Sequence, residues 1–207
     1  MLTQALQENH IALSSSQIEQ LQRYLDLLNH WNRAYNLTAI KGPQEQIYKH
    51  IIDSLTIIDD IKGSVLDAGT GAGLPGIPLA IAKPNQPFYL VDSLAKRIRF
   101  IQHVITQLPL TNSQAEHHRL EDWHTRVFDT IVSRAFSSLA TFIQTTQHLL
   151  APGGRFIAMK GTYPTEELTE IPQDFIVENV RELTMVGLQA SRHIVTIKRK
   201  GETWEKS

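Results

Sequence analysis

Two acids and a run of glycines are the first residues whose types and spacing suggest chemistry. Asp67-Ala-Gly69-Thr-Gly71-Ala-Gly73-Leu-Pro-Gly76 lies between a short apolar run, Ser64-Val-Leu-Asp67, and a helical stretch, Leu74 to Ala82. Glycine lets the backbone turn sharply and lets a ligand approach where a Cβ would stand. The helix that follows presents unpaired amide donors. Asp92 closes the next apolar run, Phe88-Tyr-Leu-Val-Asp92. A carboxylate there is placed to accept hydrogen bonds from both ribose hydroxyls of an adenosine ligand. Gly71-x-Gly73-x-x-Gly76 also satisfies the dinucleotide pattern, so the glycines alone leave NAD and S-adenosylmethionine both open.

Three features favour S-adenosylmethionine. Asp67 lies just before the first glycine, where a carboxylate would repel a pyrophosphate but favours a sulfonium or its amino group. The run Leu149-Leu-Ala-Pro-Gly-Gly154 before a strand resembles the fifth-strand entry of class I methyltransferases. Two β-rich stretches, Phe175 to Leu183 and His193 to Lys198, end the chain with no good helix between them. They read as a hairpin with an antiparallel last strand, which is also a mark of that class.

The remaining elements must position these residues. Residues 1 to about 60 read as helical, with Ile18, Leu21, Leu25 and Leu28 recurring at three- and four-residue spacing. Ser14-Ser-Ser16 followed by Glu19 predicts a capping box, and a second helix is expected from about Pro43 to Asp59. Helices are predicted over 94–108 and 137–150. Strands are predicted at Ala115-Glu-His-His118, Asp129-Thr-Ile-Val-Ser133 and Gly153 to Met159. Alternating strand and helix means a parallel sheet covered on both faces. The expected layout is a helical extension over 1–60, an α/β Rossmann-like domain with a mostly parallel seven-stranded sheet over 61–200, and a frayed tail over 201–207.

Composition sets further bounds. With 42% hydrophobic and 20% charged residues, the 207-residue chain has an ordinary globular balance. No apolar run approaches the ~18 residues of a membrane span, and Met1 to His10 lacks the features of a signal peptide. A cytoplasmic location away from membranes is therefore expected. The chain has no cysteine, which excludes thiolate zinc sites, disulfides and cysteine nucleophiles. Methyl transfer that begins with cysteine attack on a pyrimidine ring is excluded with them. His117 and His118 are adjacent on a strand and point to opposite faces, so no metal is expected there.

Several longer elements together resemble one family. They are Trp31-Asn-Arg-Ala-Tyr-Asn-Leu-Thr38, His50-Ile-Ile-Asp-Ser54, Gly69-Thr-Gly-Ala-Gly-Leu-Pro-Gly-Ile-Pro78, Asp92-Ser-Leu-Ala-Lys-Arg97, Ser133-Arg-Ala135, Lys160-Gly161 and Arg192-His193. Read together, they resemble the RsmG (GidB) family of bacterial methyltransferases, which modify N7 of a guanine in 16S ribosomal RNA of the small subunit. Ala72 and Ala95 depart from the commoner proline and glycine of that pattern. The resemblance implies that Gly69 and Leu74 line the cofactor, that Leu120 and Glu121 flank its adenine, and that Arg134 lies against it. Asp67, Gly71, Gly73 and Asp92 complete the expected cofactor set.

The sequence agrees with that chemistry. Enzymes that methylate an exocyclic amine commonly carry Asn/Asp-Pro-Pro-Tyr/Phe after the fourth strand, whereas this chain has Ser133-Arg-Ala-Phe136. Guanine N7 exposes a lone pair and has no proton to remove, so alignment and proximity suffice and no acid–base catalytic residue is expected. Asn36, His50 and Asp53 are candidates for the substrate side of the pocket, although the spacing of His50 and Asp53 equally fits a simple pair on one helix. Lys160 and Arg192 are placed to meet phosphates, or else are ordinary solvated residues.

The net charge of -1 argues mildly against a nucleic-acid partner. The local clusters argue the other way. Lys96, Arg97, Arg99 and His103 form one, and Arg192, His193, Lys198, Arg199 and Lys200 another; with Arg33, Lys41 and Lys49 they are expected to make one basic face. The expected partner is 16S ribosomal RNA, naked or in a small-subunit particle, and the expected state is a monomer. A methyltransferase of small molecules or proteins is the alternative. An NAD-dependent dehydrogenase ranks low because the chain has neither nicotinamide-side catalytic residues nor a second substrate domain. Neutralising Lys96 and Arg97 together should lower RNA methylation and flatten its dependence on salt, measured as methyl incorporation across a salt series.

Overall fold

Period-two alternation of apolar side chains sends the residues of each strand into two separate cores. The computed structural model describes residues 1–187 and 191–202, so residues 203–207 of the expected tail lie outside the described residues. The strands are β1 (Val65–Ala68), β2 (Phe88–Asp92), β3 (Ser113–His117), β4 (Phe128–Ser133), β5 (Leu150–Lys160), β6 (Phe175–Leu183) and β7 (Arg192–Arg199). They form one seven-stranded sheet in the order β3-β2-β1-β4-β5-β7-β6. β1 to β5 are parallel, while β7 runs antiparallel to both of its neighbours, β5 and β6. The expected terminal hairpin is present, although residues 188–190 of its connection are outside the described residues.

One core takes Val65, Leu90, Val132, Ile157, Met159 and Ile194. The other takes their strand neighbours Leu66, Val91, Ile131, Phe156, Ala158 and Val195. The central strands β1, β2, β4, β5 and β7 are thus buried on both faces, as a sheet covered on both sides requires, whereas the edge strands β3 and β6 are mostly half-buried or exposed. Over the first core lie α1 (Leu2–Glu8), α2 (Ser15–Tyr35), α3 (Pro43–Gln46), α4 (Asp53–Leu55), α5 (Gly76–Ala82) and α6 (Ala95–Gln107). Over the second lies α7 (Leu139–Thr146), and α8 (Thr165–Thr169) packs at its rim.

Several boundaries differ from the sequence expectation for local reasons. The capping box at the start of α2 joins Ser14 to Gln17 rather than Ser16 to Glu19. The helical stretch expected from Leu74 starts at Gly76, because Leu74 N–H still closes the preceding turn onto Thr70 O. The helix expected over 137–150 ends at Thr146, and Leu150 is already paired with Phe128 in the sheet. The helix from Pro43 stays helical only to Leu55, and a π-helical turn, Ile47–Ile52, joins α3 to α4. Such widened turns are uncommon and often occur at functional sites. Here the turn buries His50 and Ile51, and α4 buries Asp53 and Ser54. The tail begins tied down, since Glu202 Oε2 accepts a hydrogen bond from Gly153 N–H at 2.8 Å.

The helical extension is bound into the sheet rather than appended to it. Gln17 Nε2 donates to the carbonyls of Ile81 and Ala82 at the end of α5, and Gln20 Nε2 donates to Leu108 O after α6. These amides satisfy helix-end carbonyls that the helices themselves leave open. Trp31 packs against Phe100 and His103 of α6. Fully buried Tyr24 donates its hydroxyl to Ala72 O in the glycine loop at 2.9 Å. Among the described residues, no helix is long and apolar enough to cross a membrane.

Tyr24→Phe strips the buried Ala72 carbonyl of its donor and should cost about 1–3 kcal/mol, read from the urea midpoint. Because the lost bond anchors the loop, S-adenosylhomocysteine affinity should fall with it.

Candidate active site

The parallel strands end at one edge of the sheet, and the candidate residues gather there. Asp67 closes β1 with its side chain beneath the glycine loop. Its Oδ2 accepts from Thr70 Oγ1 at 2.6 Å and from Gly76 N–H at 2.8 Å. Gly76 must be glycine, since a Cβ there would stand 2.7 Å from that oxygen and from Leu90. Asp67 Oδ1 is buried without a hydrogen-bond partner. Burial pushes the carboxyl up to about 6, while the Thr70 hydroxyl and the Gly76 amide pull it back. Asp67 therefore fixes the loop from below.

Above the loop, Gly71 turns at φ +61° with nothing within 4 Å of where its Cβ would be. Its N–H donates to Asp92 Oδ2 at 3.0 Å, and Leu94 N–H donates to Asp92 Oδ1 at 2.9 Å. A cavity of about 260 Å³ opens over this carboxylate, with Gly69, Leu120, Glu121, His118 and Phe136 in its walls. The His118 ring lies stacked on buried Trp123. A buried acid, an open glycine face and an apolar wall at Leu120 fit an adenosine-type cofactor.

Of the nine residues expected on the cofactor, Gly69, Asp92, Leu120 and Glu121 line the cavity. Gly71 meets it through Asp92. Asp67, Gly73 and Leu74 lie inside the protein and shape the loop. Arg134 lines a neighbouring narrow hollow with Phe136 and Lys160. The sequence reading missed Phe136 and His118 as wall residues. Phe136 closes Ser133-Arg-Ala-Phe in the sequence, and the spacing of His118 suggests only a metal ligand. Among the described residues, no group of three His, Cys, Asp or Glu side chains is placed to hold a metal.

On the substrate side, Asp53 does not pair with His50. It is 3% exposed, and its Oδ2 meets Arg134 Nη1 at 2.9 Å while Oδ1 meets Arg192 Nε at 2.9 Å. Arg134 also donates to Ser54 Oγ and Lys49 O, each at 3.3 Å. His50 turns the other way, with Nε2 3.0 Å from Thr38 Oγ1 and Nδ1 buried without a partner. Burial and then the Arg134 charge hold its pKa down at about 4. Asn32 exchanges hydrogen bonds with Thr38 N–H and O at 2.9 Å each. Asn36 is the left-handed C-cap of α2 and is exposed.

The basic residues are mostly held by acids. Lys160 Nζ is 2.7 Å from Glu167 Oε2, and Arg97 Nη1 is 3.0 Å from Asp92 Oδ2. Lys96 Nζ donates to Tyr35 O at 3.2 Å and is exposed. The expected single basic face breaks along β7. His193 pairs with Lys160 at the ligand edge, whereas Arg199 pairs with Phe175. At ~3.3 Å per residue, Lys198 to Lys200 lie ~20 to ~26 Å from Arg192, at the opposite edge. Lys198 is engaged by Glu178, and Arg199 lies over the Phe175 ring.

A sheet of this order with β7 antiparallel, a glycine turn after β1 and a carboxylate closing β2 define a class I, S-adenosylmethionine-dependent methyltransferase. Solved structures share the fold. TrmN from Thermus thermophilus aligns over 81% of this chain and 53% of its own, with a TM-score of 0.57 at 19% identity. A SAM-dependent methyltransferase from Aquifex aeolicus aligns over 78% and 96%, with a TM-score of 0.58 at 15% identity.

Residues 17–195 match the model of the family described as rRNA small subunit methyltransferase G, or GidB, and the chain belongs to that family. Among its relatives is the ribosomal RNA small subunit methyltransferase G of Idiomarina loihiensis, 45% identical over 94% of this chain and 96% of the relative. That of Nitrosospira multiformis is 42% identical over 93% of each.

Two outcomes test this geometry. Asp53→Ala leaves two arginines facing each other without their acid and should cost about 3 kcal/mol, near the lower end for a broken buried pair because both side chains keep some exposure. Equilibrium urea unfolding measures it. A folded-state pKa below the unfolded 6.5 makes His50 contribute stability above pH 6.5 that is lost as pH falls towards about 4. The wild type should therefore lose up to ~1.4 kcal/mol per pH unit through this group over that window, and His50→Gln should show a shallower decline.

Proposed function

We propose that this chain transfers the methyl group of S-adenosylmethionine to N7 of a guanine in 16S ribosomal RNA of the bacterial small subunit. The observation that carries the cofactor side is the Asp92 carboxylate, fixed by Gly71 N–H and Leu94 N–H at the floor of the cavity. The family supplies the acceptor. When bound, the cofactor supplies a methyl carbon on cationic sulfur, which the N7 lone pair displaces with no proton to remove.

The chain has to bind, align and shield. Gly69, Gly71, Asp92, Leu120 and Glu121 hold the adenosine end, and Asp67, Gly73 and Leu74 set the loop that carries them. Arg134 stands between the cavity and the RNA. Lys96, Arg97, Lys160 and Arg192 at the rim meet phosphates, and Asn36 lies on the same side. His50 and Asp53 act by positioning, since both are buried and engaged by Thr38 and by the two arginines. Two arginines sharing one acid leave one positive charge in surplus beside the cavity, which favours a polyanion. Catalysis then comes from alignment.

The enzyme acts in the cytoplasm on rRNA, naked or within an assembling particle. The same reading takes the enzyme as a monomer. Tritiated methyl transfer to naked rRNA, 30S particles and a protein extract should label RNA. Reverse-transcription mapping should show one 7-methylguanosine lost from 16S rRNA in cells lacking the protein. Label confined to the protein extract would sink this reading.

A further inference from the structure

Asp92 has fewer free lone pairs than its proposed ligand requires. Its Oδ1 accepts from Leu94 N–H at 2.9 Å, and its Oδ2 accepts from both Gly71 N–H and Arg97 Nη1 at 3.0 Å. A carboxylate offers about four lone-pair sites. Three donors leave one, on Oδ1, whereas a ribose bound through both hydroxyls needs two. The Gly71 and Leu94 donors are main-chain amides, fixed by the glycine loop and by the turn into α6. Arg97 is a flexible side chain, 38% exposed, and it also lines the cavity. It is the donor of the three that can leave.

Beside Asp92, a cationic rim lies within reach of Arg97. Arg97 stands in the first turn of α6 beside exposed Lys96, with exposed Arg99 two residues further on. The Asp92 contact uses only one nitrogen of the guanidinium, and a released guanidinium can take a phosphate through two parallel N–H···O bonds. Held at Asp92, the Arg97 guanidinium is turned into the cavity wall and away from the rim, so the two ligands of the enzyme are linked through it.

We propose that Arg97 is a positioning residue that cofactor binding hands from Asp92 to an RNA phosphate, so that cofactor and RNA bind cooperatively. This rests on the reading that Asp92 takes the ribose. Without cofactor, the buried acid withholds Arg97 from RNA. With ribose on Asp92, the side chain is free for the phosphate. Linkage makes the effect reciprocal, so RNA that captures Arg97 tightens the cofactor by the same factor. No bond is made or broken in the handover.

The probe is S-adenosylhomocysteine, whose neutral sulfur adds no charge of its own. Its affinity for the wild type, Arg97→Ala and Arg97→Lys is measured by isothermal titration. The affinity of a 16S rRNA transcript is measured by filter binding, with and without saturating S-adenosylhomocysteine. In the wild type the transcript should bind about fivefold more tightly when the nucleoside is present. Arg97→Ala should bind S-adenosylhomocysteine up to about fivefold more tightly than the wild type, because an exposed competitor is gone. Its RNA affinity should be the same with and without the nucleoside. Arg97→Lys should retain part of the coupling.

An Arg97 that itself grips the cofactor gives the opposite sign: weaker nucleoside binding by Arg97→Ala overturns the handover. So does equal nucleoside binding, or coupling that survives in Arg97→Ala. A wild type that binds no S-adenosylhomocysteine overturns the cofactor reading and this inference together, whereas normal binding with no coupling overturns the handover alone.

Discussion

Asp53 clamped between Arg134 and Arg192 is the contact on which the arrangement of the site depends. Its three residues come from α4, from the residue just after β4 and from the start of β7, so one carboxylate joins the helical extension to two strand ends. A buried acid facing a single arginine seldom gains much over an apolar pair, but removing one partner is costly. With two arginines, each oxygen has its own donor, and a guanidinium that moves leaves one oxygen bare while the other stays paired. The widened turn leads directly into α4. It buries His50 while α4 buries Asp53, and the two side chains part to opposite partners.

The glycine loop is held by comparable means. Asp67 grips it from beneath through Thr70 and Gly76, and Tyr24 from the side through Ala72. One of these anchors belongs to the strand before the loop and the other to the helical extension. The extension thus fixes both the loop and, through Asp53, the arginines across the cavity. This explains why its residues share one core with the sheet.

The architecture was legible in the sequence because its signals are local. Apolar runs ending in Asp67 and Asp92, the glycine turn and the final pair of β-rich stretches each depend on neighbours in the chain; the runs and the final pair stand in the sheet, and the turn joins β1 to α5. Side-chain partners were less legible. Asp53 and His50 look like a helical pair by spacing, but partners 80 and more residues away decide where the acid points, namely Arg134 and Arg192. Arg192 and Lys198 look like one cluster in the sequence, yet an extended strand carries them apart. His118 gave no sequence signal for the cavity, since its place there depends on Trp123 beneath it.

A nearly neutral chain that acts on RNA is less paradoxical once its pairs are considered. Arg97, Arg134, Lys160 and Arg192 each rest on an acid of the same chain. Such carboxylates act as built-in counterions: they lower net charge and withhold the cations from nucleic acid of the wrong shape. A phosphate must displace or share an acid to be bound, so fewer salt ions are released per contact than at a free lysine. Selectivity then comes from geometry that can separate several pairs at once. Charge alone cannot do this, which is why net charge was a poor guide to the partner.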